Sequence, residues 1–176
     1  MSIHCAASCV PVLIQQRVDA GGAFNRSWEE FKVGFNDSRG NYWLGNELLS
    51  QLTKHGHYKL RFDLERQDHT WYWAEYLFFF VSSEATNYKV RISGYSGNLH
   101  DSFSYSNEMK FTTYDRDNDP WRNRNRAYKN NCAVYYGGGF WYRSCALADI
   151  NRKYYFRWYK PGAWQKLKTS RMWLTC

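Results

Sequence analysis

Apolar and polar positions alternate most cleanly at "YKLRFDLE" (58–65). There Leu60, Phe62 and Leu64 share one face, and Lys59, Arg61 and Asp63 share the other. A period of two is that of a half-buried strand. "WYWAEYLFFFVS" (71–82) is aromatic throughout and predicts a central strand covered on both faces. "YKVRISGYSG" (88–97) alternates again before its glycine turns. Upstream the spacing is helical. In "NRSWEEFKVGFN" (25–36), Ser27 is placed to cap, Glu30 stands at the third helical position, and Trp28, Phe31 and Phe35 follow at helical intervals. "GNELLSQLTKHG" (45–56) predicts a second short helix, with Leu48, Leu49 and Leu52 on one face and Gly56 as its stop. Two helices followed by an antiparallel sheet give an α+β class. After residue 98 come loops rich in Asn, Asp, Gly and Tyr, and loops on a rigid sheet are where function usually sits.

The chain has 176 residues, which suits one domain. Aromatics make up 20% of it, more than a core of this size requires, and the surplus points to binding surfaces, sugar sites among them. The longest apolar run, "YLFFFV" (76–81), is the length of a strand and excludes a membrane-spanning helix. A net charge of +8 is compatible with an anionic partner and equally with plain solubility. Cys5, Cys9, Cys132, Cys145 and Cys176 form no C-x-x-C pair, and the histidines are scattered, so a disulfide is expected rather than zinc. A disulfide implies an oxidising, extracellular setting, and sequons at Asn25 and Asn36 agree with a secreted glycoprotein. The first residues, "MSIHCAASCVPVLIQQR", show no signal peptide, and the odd cysteine count fits a fragment.

The most chemically suggestive stretch is "YDRDNDPWRNRNRAYKNNC" (114–132). Asp115, Asp117 and Asp119 converge if the backbone is extended, and Asp119 precedes Pro120, which favours that geometry. Clustered carboxylates without His or Cys suit calcium. The alternative is a solvated acidic turn balanced by Arg116 and Arg122, and the residues alone leave both open. An EF-hand is excluded, since Pro120 and Arg126 stand where Gly and Glu are required. Arg122, Arg124, Arg126 and Lys129 form a basic run that suits a sulfated polyanion or is simply solvated. No nucleic-acid motif is present. Asp68 and His69 have no catalytic companions and read as a turn, so the chain is not expected to be an enzyme.

"FTTYDRDND" followed by "NCAVYYGGGFWYRSC" resembles the fibrinogen-related domain, the C-terminal module of fibrinogen chains, ficolins, angiopoietins, tenascins and tachylectin-type lectins. "IQQRVDAGGAFNRSWEEFKVGF", "YWLGNELLSQLT", "AEYLFFFV" and the closing "WQKLKTSRMWL" agree in order. The resemblance covers residues 12–176, leaving 1–11 as a non-matching leader. It implies a twisted, mostly antiparallel sheet with short helices and a loop-rich C-terminal ligand and calcium subdomain, the N-terminal hairpin subdomain being largely missing. It implies Ca2+ held by the side chains of Asp117 and Asp119 and the carbonyls of Trp121 and Asn123, with Asp115 behind them. It also implies a Cys132–Cys145 disulfide and a cis Ser144–Cys145 peptide. A lectin pocket for N-acetyl groups would involve Tyr136, Tyr142, Ser144, Cys145 and Ala146. Two departures stand out: Ala146 replaces the His common in the lectins, and the loop between Asp119 and Cys132 is lengthened. The implied function is calcium-dependent recognition of glycans or N-acetylated ligands, as in innate immunity. The alternative is a protein-interaction module that engages a receptor, and relatives oligomerise through regions N-terminal to this domain.

Overall fold

The computed structural model describes residues 10–122 and 130–176. Its elements run β1 (Val12–Arg17), α1 (Trp28–Val33), β2 (Phe35–Asn36), β3 (Tyr42–Trp43), α2 (Asn46–Thr53), β4 (Tyr58–Arg66), β5 (Trp71–Val81), β6 (Val90–Gly97), β7 (Phe111–Thr112), α3 (Cys132–Tyr136), β8 (Phe140–Trp141), β9 (Ala148–Asp149), β10 (Arg157–Lys160) and β11 (Ala163–Thr175). The main sheet has the order β2-β3-β1-β11-β4-β5-β6, with β10 and β9 extending from β11, and β7–β8 form a separate pair. Every pairing is antiparallel.

Local chemistry explains the first helix. The Ser27 side chain accepts from the Glu30 N–H, and the Glu30 carboxylate accepts from the Ser27 N–H at 2.8 Å, a reciprocal cap. Gly34 ends the helix with φ 93°, and a Cβ there would meet the Leu44 carbonyl at 2.6 Å. β4 follows its alternation, with Leu60, Phe62 and Leu64 all buried.

Two expectations change. β5 is the penultimate strand of the main sheet rather than a central one, and its outer face leaves Trp71, Leu77 and Phe78 exposed. The middle of the sheet belongs to β1 and β11, so a strand that precedes both helices lies against the C-terminal strand. The tertiary pairing of segments far apart in sequence decides this, and local pattern does not encode it.

The core is largely aromatic. Trp141 is fully buried against Trp43, Phe79, Phe103 and Phe111, with centroids 5.1–6.5 Å away. Its indole N–H donates to the Tyr88 carbonyl at 2.7 Å, so the one polar atom of this side chain is satisfied. The Asp68–His69 pair lies in the turn between β4 and β5.

Candidate functional site

The C-terminal loops are held by α3. Asn131 caps it, accepting from the Val134 N–H at 3.0 Å, and donates from its own amide to the Thr113 carbonyl. Cys132 and Cys145 are disulfide-bonded, with Cα atoms 5.4 Å apart. The helix stops at Gly137 in the left-handed region. Beyond it, a Cβ on Gly138 would fall 2.0 Å from the Asn151 carbonyl oxygen. The glycine run is therefore where the 151–155 loop presses onto the end of α3. Asn151 fastens the contact, donating to the Gly139 carbonyl at 3.0 Å and accepting from Gln15 of β1 at 3.1 Å. The Lys153 N–H donates to the Tyr136 carbonyl at 2.9 Å.

Between α3 and this loop lies a depression of about 580 Å³. Tyr114, Tyr135, Tyr136, Tyr154 and Tyr155 line it with Arg152 and Lys153, and the exposed Asn25 stands at its rim. Its cations are layered with rings. The Arg152 guanidinium lies 4.5 Å from the Tyr136 ring centroid and 4.7 Å from that of Tyr155, and Arg157 lies 3.7 Å from that of Trp164. Behind them the buried Asp149 holds both guanidinium groups at 3.4 Å through one oxygen, while its other oxygen has no hydrogen-bond partner. Burial pushes the Asp149 carboxyl up to about 6 against the pull of the two arginines. Burial also raises the Tyr136 hydroxyl.

Arg17 of β1 organises the surrounding loops. Buried and stacked 4.2 Å from the Phe156 ring centroid, it donates to the carbonyls of Asp19, Gly21, Ile150 and Arg152. Sequence reasoning missed Arg17, Arg152, Lys153, Tyr154 and Tyr155. The basic-aromatic run "NRKYYFRWYK" (151–160) carried a readable signal for all but the first.

The expected acetyl-pocket residues are mostly buried, although the Tyr136 and Tyr142 rings touch at 5.9 Å. Tyr136 lines the depression, but Tyr142 is buried with its hydroxyl on the Gly138 carbonyl at 2.7 Å. Cys145 and Ala146 are buried, and Ser144 is exposed outside the lining. No peptide bond is cis among the described residues, so Ser144–Cys145 is trans. A cis non-proline bond costs about 3–4 kcal/mol unless the surroundings enforce it. Here Arg143 N–H to Cys145 O, at 2.7 Å, closes the turn with trans geometry.

The three loop aspartates do not converge. Asp115 turns to α1, accepting from the Trp28 N–H at 3.0 Å and the Thr113 hydroxyl at 2.7 Å. Unpaired amides at a helix start outcompete a shared acidic cluster. Among the described residues no group of three acidic, His or Cys side chains is placed to hold a metal. Asp117 and Asp119 remain together. Asp119 is buried, accepts from the Trp121 and Cys132 N–H groups at 2.9 and 3.0 Å, and has its carboxyl raised to about 6 by burial and by the charge of Asp117. Two hard oxygen donors pressed together in this way fit a calcium ion, which would relieve their repulsion. The Trp121 carbonyl already accepts from Arg122 at 2.7 Å, and one of its lone pairs remains. Arg116 pairs with Glu84 and Asn87 and lies 4.0 Å from the Trp28 ring centroid. Asn123, Arg124, Arg126 and Lys129 lie outside the described residues, as do Cys5 and Cys9.

With this geometry in hand, residues 6–174 match the family described as the fibrinogen beta and gamma chains, C-terminal globular domain. The chain belongs to that family. Fibroleukin of Bos taurus is 39% identical over 153 residues, covering 84% of this chain and 33% of that protein. The fibrinogen-like globe domain of human ANGPTL2 superposes with a TM-score of 0.79 at 35% identity, covering 93% of this chain and 79% of the other. Lamprey fibrin D-dimer, solved with the peptide ligand Gly-His-Arg-Pro-amide, gives 0.78 at 28% identity, covering 93% and 60%. The chain thus spans a third of the length of fibroleukin and 17% of the human fibrinogen alpha chain, to which it is 39% identical over 159 residues (82% of this chain). No helix among the described residues is long and apolar enough to cross a membrane.

Proposed function

We propose that this fibrinogen-family domain is an extracellular recognition module, not an enzyme, that takes a glycan into the tyrosine-lined depression. The observation that carries this reading is the depression itself. Four of its five tyrosines are exposed, from 41% at Tyr135 to 66% at Tyr154, and the wall they form rests on a disulfide-braced helix and a loop locked by Asn151. Exposed ring faces with polar rims suit sugars, which present flat C–H faces and hydroxyls together. The Cys132–Cys145 bridge supports an oxidising compartment.

Calcium on Asp117 and Asp119, with the carbonyls of Trp121 and Asn123, would supply a fixed positive charge at the loop that leads into α3. Asp119 would tie such an ion to the helix, because the same carboxylate accepts from the Cys132 N–H. A second reading, a protein-binding module, draws support from the burial of Tyr142, Cys145 and Ala146 and from the peptide ligand of the lamprey relative.

Immobilised N-acetylated, neutral and acidic glycans test the reading, with EDTA as the calcium arm. Retention of the folded chain that Tyr154→Ala lowers about tenfold supports it. Flow-through on every glycan by protein that melts cooperatively would overturn it in favour of the protein-binding module.

A further inference from the structure

The charges of the depression narrow the ligand further, in an inference that rests on the glycan reading above. Among the described residues no carboxylate lines the depression, whereas Arg152 and Lys153 both do. Lys153 has no acidic partner among the described residues, its ammonium lying 4.8 Å from the centroid of the Tyr154 ring. Arg152 reaches Asp149 only at 3.4 Å, and that single carboxylate is shared with Arg157. Two guanidinium ions on one buried carboxylate leave a net positive charge, which Arg152 brings to the cavity wall, and Lys153 adds another. A low-dielectric wall of tyrosines strengthens such a field at close range. The stacking of Arg152 between Tyr136 and Tyr155 fixes the plane of its guanidinium, the condition for paired N–H contacts to a flat or tetrahedral oxyanion.

We infer that the depression is an anion-reading subsite in which Arg152 and Lys153 take the sulfate or carboxylate of an acidic glycan while the tyrosines pack against its rings. Its two cations belong to a different stretch of the sequence from the basic run at 122–129. The lining favours a glycan over an acidic peptide because it comes from a helix end and loops, with no strand edge on which an extended peptide backbone could pair.

Three hexasaccharides separate the possibilities in equilibrium binding at physiological salt. One is heparin-derived and sulfated, one is hyaluronan with carboxylates only, and one is neutral chitohexaose. The inference expects at least one acidic hexasaccharide to bind about tenfold tighter than chitohexaose. Lys153→Gln should remove roughly five- to tenfold of that affinity, a larger loss than it causes for chitohexaose. Lys54→Gln, which removes the same charge from exposed surface far from the depression in the chain, should change neither by more than about twofold. Preference for the sulfated over the carboxylated sugar, or the reverse, identifies the source of the anion. The basic peptide Gly-His-Arg-Pro-amide should not compete. Equal binding of acidic and neutral sugars, equal losses in Lys153→Gln and Lys54→Gln, or displacement by the basic peptide overturns the anion assignment while leaving glycan recognition standing. Binding of none of the three by folded protein overturns the glycan reading itself.

Discussion

Replacing Arg17 tests whether the depression is built from β1. The guanidinium donates to four backbone carbonyls, at 2.8 Å to Asp19, 3.0 Å to Ile150 and 3.1 Å to Gly21, with Arg152 as the fourth. Charged hydrogen bonds contribute about 1.5–3 kcal/mol each, so four of them offer roughly 6 kcal/mol at the low end. Burying the ion costs several kcal/mol in return. That cost shows in the guanidinium's pKa, which burial lowers to about 10. The net loss on Arg17→Met is then about 3 kcal/mol, because the methionine keeps the packing on Phe156 but none of the donors. Arg17→Lys should recover less than half, since a single ammonium with three donors cannot span four acceptors on two loops. Urea unfolding followed by tryptophan fluorescence, with disulfides intact and m-values compared, measures both. Glycan affinity should fall in parallel, because Ile150 and Arg152 lead into the loop that lines the depression. A change below about 1 kcal/mol for Arg17→Met, or full recovery by lysine, refutes the reasoning.

Three further outcomes follow from the same geometry. Cys132→Ala with Cys145→Ala should cost about 3 kcal/mol in the chain-entropy account of a loop this size, read as a lowered urea midpoint. Gly138→Ala should destabilise by more than a typical surface change, since its Cβ meets backbone at 2.0 Å rather than a mobile side chain; an unshifted melting temperature would contradict the packing of the 151–155 loop. Asp149 titrates near 6 in the folded chain against 3.8 ordinarily, so between about pH 4 and 6 the folded state holds a proton that the unfolded state has shed. Its contribution to stability therefore falls as pH rises through that window. Glu30, Glu84 and Glu108, whose carboxyls are lowered, act in the opposite direction and lose their contribution as pH falls. The stability of the wild type minus that of Asp149→Asn should decline from pH 4 to 6, and a flat difference counts against the buried carboxylate.

Elements defined by local chemistry were legible in the chain. The Ser27–Glu30 cap and the alternation of β4 each needed only neighbours within one or two turns. In α2, by contrast, Leu48, expected on the apolar face with Leu49 and Leu52, is exposed, and Asn46, Ser50 and Thr53 are buried beside Leu49. The resemblance carried the fold and the Cys132–Cys145 pairing. What stayed hidden depends on partners far apart in sequence. Arg17 looks like an ordinary charged residue until the loop at 150–152 closes over it. Asp115 looks like the third member of an acidic cluster until the bare amide of Trp28 arrives beside it. Tyr142 looked like a binding aromatic because an aromatic in a loop gives no sign of whether the loop faces in or out. The depression was missed for the same reason, since its two walls, α3 and the 151–155 loop, are separate segments.

The pairing of β1 with β11 has a consequence for how the domain is made. Gln15 and Ser170, hydrogen-bonded to each other, stand 155 residues apart, so the centre of the sheet closes last during synthesis. The β4–β5–β6 meander is complete long before β11 emerges, and until then β4 presents a bare edge of unpaired amides and carbonyls. A nascent or C-terminally shortened chain therefore carries a sticky, half-built sheet whose open edge can pair with other chains until β11 arrives.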